Sequence, residues 1–211
     1  MGATPRQTAA AIVDMLVTQG QGDYIGEAIS QLEHSLQAAH QATLAQADDE
    51  TVIAALLHDI GHFLPPKDVR AIAHDIRTMR TADANSSDED EADNVGRVGH
   101  EMIGAQYLAS LSFSPKVSAL VGSHVAAKRY LCAVDPAYHA TLSDASKKSL
   151  IFQGGPMSDE EVRQWSANDW CQDMCRLRKW DDAAKIVGLQ VKPAEQYEAM
   201  IEKHLASRIQ V

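Results

Sequence analysis

The chain is poor in cysteine and in positive charge, and both shortages exclude classes of protein. Three cysteines in 211 residues are too few for a disulfide framework. Cys171 and Cys175 lie four positions apart on a predicted helix, with no second pair to complete a zinc site, so core packing is the favoured role. With 19 basic and 29 acidic residues the formal net charge is −10, which argues against nucleic acid as a partner.

Long apolar segments are missing as well. No stretch is long enough to span a bilayer, and the first residues lack a signal-peptide pattern, so we expect no membrane partner and a cytoplasmic location. Period-two alternation of any useful length is absent, which argues against strands. Hydrophobic residues still make up 45% of the chain, enough for one core. These features predict a single all-α domain.

Helical periodicity and capping signals predict where the helices lie. The expected helices are 5–19, about 25–45, about 95–111, one opened by Ser114 and Pro115, one from Ser143 through Leu150, one after the Ser158–Glu161 capping box, one ending at Gly188 and one starting at Pro193. Residues of about 64–96 lack this pattern and include the acidic run 85–91. We expect them to be a surface insertion, partly disordered, within a single domain of residues 1–211.

His58 and Asp59 are the most informative pair. They follow the run 52–57, which is apolar on every side and predicts a buried helix. Ionisable groups are costly there unless paired, and a metal cation is one partner that would stabilise both. A buried histidine hydrogen-bonded to its neighbour is the plainer alternative.

Further candidates for a metal site fall on inward or ambiguous helix faces: His34, His100, His124 and Asp181. Mixed imidazole and carboxylate ligands favour iron, manganese or zinc. Six ligands are too many for one ion that also binds substrate, so two ions bridged by Asp59 are expected. We interpret His40, His139 and His204 as structural or surface residues.

A polar stripe precedes His34. Tyr24, Glu27 and Gln31 recur with it at helical spacing in the predicted helix 25–45. The stripe is either one wall of an active site or a solvated helix face.

The order His34, His58-Asp59, Asp181 matches the H…HD…D signature of the HD-domain superfamily, an all-helical fold of metal-dependent enzymes. His100 and His124 match the extra pair of its dinuclear branches. The segments 23–34, 124–130 and 153–157 closely resemble the phosphonate-cleaving HD-domain oxygenases of the PhnZ type, including the form that acts on a trimethylammonio substrate.

That resemblance implies a site and a cofactor. His34, His58 and Asp181 would hold one iron of an Fe(II)/Fe(III) pair, His100 and His124 the other, and Asp59 would bridge them. Tyr24 looks like the residue that occupies an open iron position at rest, and Glu27 like the partner of the substrate's cationic nitrogen. The remaining substrate-binding and catalytic candidates, which resemble the phosphonate pocket, are His62, Lys128, Ser146 and Arg178.

The implied reaction uses O2 to cleave the C–P bond of 1-hydroxy-2-aminoethylphosphonate or its N-trimethylated form, giving phosphate and glycine or glycine betaine. The alternative is an HD-superfamily phosphohydrolase acting on a small phosphate ester. Ordinary surface charge is the plainer interpretation of Lys128 and Arg178. Arg178 lies three residues before Asp181, and pairing with that carboxylate is a further interpretation. Oligomeric state is not predicted.

Overall fold

The backbone is helical, as predicted. The computed structural model describes residues 2–24, 26–72 and 99–209, and in these ranges the only β-type pairing is an isolated bridge between Asp23 and Ser30. The helices are α1 (Pro5–Gln19), α2 (Gln31–Leu44), α3 (Asp49–Leu57), α4 (His100–Ser110), α5 (Pro115–Val134), α6 (Pro136–Thr141), α7 (Asp144–Phe152), α8 (Asp159–Ser166), α9 (Cys171–Ala183) and α10 (Glu198–Ile209), with 3-10 turns at Ile60–His62 and Ala194–Tyr197.

Helix α3 is the centre of the core. Its apolar sequence presents no polar face, and every residue from Thr51 to Leu57 is buried. Helices α2, α5, α9 and α10 all pack against it. Burying a leucine or isoleucine side chain fully contributes roughly 1.5–3 kcal/mol, so this helix is firmly held. His58 and Asp59 follow its last turn and are therefore fixed within the core.

The predicted helix 25–45 begins later than expected. Helix α2 starts at Gln31, because Ser30 and Glu33 form a capping box that ends the preceding loop. The loop itself is closed by two hydrogen bonds, from the Gln31 amide to the Gly22 carbonyl and from the Tyr24 amide to the Ile29 carbonyl, both 2.9 Å. Tyr24 and Glu27 thus belong to a loop, and the prediction of a continuous helical stripe was wrong.

Helix α4 crosses the 3-10 turn at very short range. A Cβ atom added to Gly61 would lie 2.0 Å from the His100 carbonyl oxygen, and one added to Gly104 would lie 3.2 Å from the Gly61 nitrogen. Glycine is needed at this crossing because only a bare backbone allows it. The crossing brings His100, the first residue of α4, beside Asp59 and His62.

Other predicted boundaries have mixed outcomes. Ser114 and Ser143 cap α5 and α7, and Ser158 with Glu161 forms the expected box. Helix α9 ends at Ala183, five residues before Gly188, and a 3-10 turn follows Pro193 before α10 begins.

The predicted insertion remains a prediction for most of its length. Its first part is helical over residues 66–72, whereas residues 73–98, with His74 and the acidic run, lie outside the described ranges. Cys171 and Cys175 are half-buried, and Cys175 packs against the small apolar cluster of Leu131, Tyr138 and Leu142. None of the helices in the described part of the chain is both long and apolar enough to cross a membrane.

Candidate metal centre

Five elements bring the six predicted ligands together. His34 comes from α2, His58 and Asp59 follow α3, His100 opens α4, His124 lies in the middle of α5, and Asp181 lies in the last turn of α9. Five of the six are buried and His100 is half-buried. Sets of ligand atoms within 4.8 Å of one another occur in His34, His58 and Asp59, and again in Asp59, His62 and His100.

His34 and His58 face each other with their ring nitrogens. Nδ1 of His34 lies 3.0 Å from the Ala184 carbonyl, and Nδ1 of His58 lies 2.8 Å from the Ala55 carbonyl. A carbonyl only accepts, so each Nδ1 carries the proton and each neutral Nε2 presents a lone pair. The two Nε2 atoms are 3.0 Å apart. Two lone pairs at that distance repel each other unless a cation or proton lies between them.

His100 and His124 repeat the arrangement. Nδ1 of His124 donates to the Val121 carbonyl at 2.8 Å, which leaves Nε2 as its lone pair. Nδ1 of His100 lies 3.5 Å from a Glu101 carboxylate oxygen. The Nε2 atoms of the two rings are again 3.0 Å apart. The centre therefore has two separate pairs of convergent imidazoles.

Asp59 lies between the two pairs and turns one oxygen to each. Oδ2 is 3.6 Å from His34 Nε2 and 3.5 Å from His58 Nε2. Oδ1 is 3.3 Å from His100 Nε2 and 3.6 Å from His124 Nε2. Asp181 approaches only the first pair, with Oδ1 3.3 Å from His34 Nε2. One carboxylate is thus shared, and the other belongs to one side.

These donors fit a pair of metal ions. Metal–imidazole bonds are about 2.0–2.1 Å long for zinc, so two such nitrogens at a right angle are roughly 3.0 Å apart. Both imidazole pairs have that separation. His34, His58 and Asp181 could hold one ion and His100 and His124 a second, with Asp59 between them. Nitrogen and carboxylate donors of this kind suit iron, manganese or zinc.

Electrostatics favours the metal-binding forms of Asp59, Asp181 and His124. At His34, by contrast, burial is outweighed by the carboxylates of Asp181 and Asp59, which raise its pKa. Burial raises the pKa of Asp59, but the nearby imidazoles of His58 and His100 outweigh it and hold that pKa well below its ordinary value. The pKa of Asp181 is likewise low, because Arg178 and His34 outweigh burial. Burial and the neighbouring His100 depress the pKa of His124. Ionised carboxylates and a neutral imidazole are what a metal site requires.

Tyr24 reaches this centre from the loop that precedes α2. Its ring stacks on that of His34, with centroids 3.8 Å apart and planes at 14°, and its hydroxyl lies 3.5 Å from Asp181 Oδ1. Burial and the charges of Asp181 and Asp59 raise the pKa of Tyr24 well above its ordinary value. A bound cation would oppose this effect. The loop therefore holds a phenol over the first pair of imidazoles. Tyr24 reaches this position from the loop and not from the helix that the sequence predicted. Gln31 is not part of the centre and lies 3.4 Å from the Asp23 carbonyl.

Lys128 is a buried ammonium beside Ser146. It lies one helical turn after His124, and its Nζ donates to Ser149 Oγ at 2.6 Å and approaches the Ser146 carbonyl at 3.5 Å. No carboxylate pairs with it among the described residues, and burial together with the charge of Arg178 lowers its pKa to about 8. A buried cation without a counter-ion favours an anionic ligand. Surface charge is therefore the wrong interpretation of Lys128.

Arg178 has carboxylate partners already. Its Nη1 lies 2.8 Å from Asp181 Oδ2, and its Nη2 and Nε bind Asp182, which also accepts from the Tyr138 hydroxyl. Arg178 is buried, so it is not a surface charge. It orients Asp181, and the sequence reasoning had missed Asp182 and Tyr138 as its supports.

His62, Glu27 and Lys185 complete the surroundings. His62 is half-buried and stacks on His100 with centroids 4.1 Å apart. Glu27 pairs with Lys185, at 2.9 Å between Oε1 and Nζ. Lys185 was not predicted from the sequence and lies two residues beyond the end of α9.

Together, these features define a helical metal-binding protein. The HD domain family matches residues 32–145 of the chain. A hydroxymethylphosphonate dioxygenase of Gimesia maris is 38% identical over 205 residues, which are 97% of this chain and 92% of that protein. A [1-hydroxy-2-(trimethylamino)ethyl]phosphonate dioxygenase (glycine-betaine-forming) of Leisingera caerulea is 33% identical over 193 residues, covering 90% and 88%. The chain belongs to the HD-domain family, and within it to the oxygenases of the PhnZ type.

Proposed function

We propose that this protein is an iron-dependent oxygenase that uses O2 to cleave the C–P bond of a small 1-hydroxyphosphonate. The observation that carries the proposal is the Tyr24 phenol, stacked on His34 with its hydroxyl 3.5 Å from Asp181 Oδ1, inside a His/Asp centre fit for two ions. A phosphohydrolase needs a metal-bound water at such a position, so a phenol held there favours the oxygenase. The dioxygenase names of two relatives support the same class.

In this proposal the six ligands hold two iron ions. His34, His58 and Asp181 bind one, His100 and His124 bind the other, and Asp59 bridges them. Bound iron supplies the one-electron chemistry with O2 that no side chain provides. The protein contributes the positions of the ligands, which it holds through the backbone carbonyls of Ala184, Ala55 and Val121.

The remaining residues bind and orient the substrate. The phosphonate lies against Lys128, Ser146 and His62, where the buried ammonium lacks a carboxylate partner within the described ranges. Arg178 keeps Asp181 ionised and adds positive charge on the same side. Glu27 attracts a cationic nitrogen. In a 2-aminoethylphosphonate this is the protonated primary amine or the trimethylammonio group.

The reaction balances with one O2 per substrate. C1 loses its hydrogen and its bond to phosphorus. One oxygen atom enters the carboxylate formed at C1 and the other enters phosphate. The products are phosphate and, from the aminated substrates, glycine or glycine betaine.

The test is O2 uptake and phosphate release by the iron-loaded protein with 1-hydroxy-2-aminoethylphosphonate, its trimethylated form and hydroxymethylphosphonate. We expect equal amounts of O2 consumed and phosphate formed. Tyr24→Phe should keep its iron and let the resting centre oxidise faster in air, because the phenol no longer shields it. Phosphate release from phosphate monoesters without O2 uptake would instead establish the phosphohydrolase.

A further inference from the structure

The ion pair between Lys185 and Glu27 joins the Tyr24 loop to the end of α9. Both side chains are largely shielded, with 14% and 20% of their surface exposed. The Lys185 ammonium also donates to Ser143 Oγ at 3.1 Å and to Ser146 Oγ at 3.4 Å, and lies 5.8 Å from the centre of the Tyr24 ring. One ammonium therefore contacts an acid and two hydroxyls.

We propose that Lys185 is a phosphonate-binding residue, and that a substrate carrying both a phosphonate and an ammonium binds by exchanging partners with the Lys185–Glu27 pair. The substrate's phosphonate takes the Lys185 ammonium, and its ammonium takes the Glu27 carboxylate. This inference rests on the proposed function and adds Lys185 to it as a residue that favours aminated over nitrogen-free 1-hydroxyphosphonates.

Two lysines converge on Ser146, which makes its surroundings an anion site. Lys185 binds the Ser146 hydroxyl from one side, and Lys128 approaches its carbonyl from the other. Ser143 caps α7 and accepts from the Ser146 amide, so both hydroxyls lie at a helix N-terminus, where the helix dipole favours an anion. Ammonium and hydroxyl donors together suit the three oxygens of a phosphonate. Of the two lysines, only Lys185 is paired with a carboxylate in the described part of the chain.

Charge balance explains why an aminated substrate is favoured. A phosphonate without nitrogen that takes Lys185 leaves the shielded Glu27 carboxylate without a counter-charge, which is unfavourable. An aminated phosphonate replaces both partners at once, so no charge is left unpaired. Hydroxymethylphosphonate, the compound in the name of one relative, has no nitrogen and cannot do this.

The experiment is binding to the iron-loaded protein without O2, so that no turnover occurs. The two probes are 1-hydroxy-2-aminoethylphosphonate and hydroxymethylphosphonate, titrated calorimetrically. Lys185→Met should weaken both, by roughly thirtyfold or more, because both lose a phosphonate partner. Glu27→Gln should weaken only the aminated probe, by a similar factor. Lys185→Arg should retain most of the affinity, and Lys179→Met, which removes an exposed lysine of α9, should change neither.

Two outcomes would overturn the exchange. If Lys185 serves only as the counter-ion of Glu27, Lys185→Met leaves that carboxylate unpaired. The aminated probe then binds more tightly, and the affinity of hydroxymethylphosphonate is unchanged. If Lys185 is only structural, affinity falls equally in Lys185→Met and Lys185→Arg, with a lower melting temperature.

The expected binding pattern without C–P cleavage in air would contradict the proposed reaction but not the proposed binding by Lys185 and Glu27. Cleavage with normal binding by Lys185→Met would contradict the role of Lys185 alone.

Discussion

At the scale of single residues, Asp59 has a position that no other ligand shares. Each of its oxygens faces a different pair of imidazoles, at 3.3–3.6 Å. Asp59→Ala should therefore remove both metals, whereas His100→Ala should weaken mainly the second and leave much of the first. Metal content per chain, measured by mass spectrometry, should fall from about two to near zero in the first variant and to about one in the second. A full metal complement in Asp59→Ala would show that it does not bridge. His139→Ala, an exposed histidine, is the matched control.

The buried position of His204 leads to a prediction about how the stability of the fold depends on pH. It is buried behind Phe113, and its Nε2 accepts from the Ser114 amide at 3.2 Å. Burial lowers the pKa of His204. The charge of Glu50 raises this pKa and that of Arg208 lowers it, and the net shift is downward. A histidine with a lowered folded-state pKa binds fewer protons folded than unfolded, so its stabilising effect is present above an unfolded pKa of about 6.5 and is lost as pH falls below it.

The measurement is the melting temperature of the wild type and of His204→Gln at pH 7.5 and 5.5. The variant should lose less stability between these two values, because its amide still accepts the Ser114 hydrogen bond and does not titrate. Equal losses in both proteins would assign the acid sensitivity to other groups.

At the scale of elements, the crossing of the 3-10 turn and α4 controls whether the second imidazole pair can form. A Cβ on Gly61 would meet the His100 carbonyl at 2.0 Å, and both atoms belong to backbone that cannot move independently. Gly61→Ala should push α4 outward, destabilise the fold by roughly 1–3 kcal/mol and lose the second metal in preference to the first. Thermal melting and metal analysis check both effects. Gly22→Ala, where the nearest atom would be at 3.7 Å, is the control. Unchanged metal content in Gly61→Ala would show that α4 tolerates the shift.

The same scale explains which helices were predictable. The central α3 follows directly from its apolar composition, and serine caps mark the starts of α5, α7 and α8. The start of α2 was misplaced because the apolar spacing of Ile29, Leu32 and Leu36 continues through Ser30. The capping box of Ser30 and Glu33 was visible in the sequence and marks the boundary.

The candidate site was predictable because ionisable side chains are rare among buried residues. Buried histidines and aspartates at helical spacing indicated the centre, and the six predicted ligands converge. Lys185 was missed because it lies beyond the end of α9, in a stretch whose conformation no local pattern determines. The pairing of Arg178 with Asp181, three residues later on the same helix, was one of the interpretations open from the sequence and is confirmed, whereas its second partner Asp182 was not anticipated.

At the scale of the whole molecule, the centre joins side chains from five elements, α2, α3, α4, α5 and α9. Without metal, each imidazole pair leaves two nitrogens 3.0 Å apart in the core, an arrangement that costs free energy. Metal binding should therefore stabilise the fold, by about 2.7 kcal/mol when free metal is at a hundred times its dissociation constant. For a chain of this length that is roughly 5–10 °C in melting temperature. Calorimetry before and after chelation, with metal added back, measures it. A melting temperature indifferent to chelation would mean that the centre is preformed without cost.

The order of the ligands along the chain has a consequence for synthesis. His34, His58 and Asp59 are made well before Asp181, which lies 147 residues after His34. At about 5–20 residues per second, roughly seven to thirty seconds separate the first ligand from the last. Once His124 has been made, the nascent chain carries five of the six candidate ligands, and Asp181 is the one still to be made. The ligands proposed for the second ion, His100, His124 and Asp59, are thus all synthesised before the set proposed for the first ion is complete.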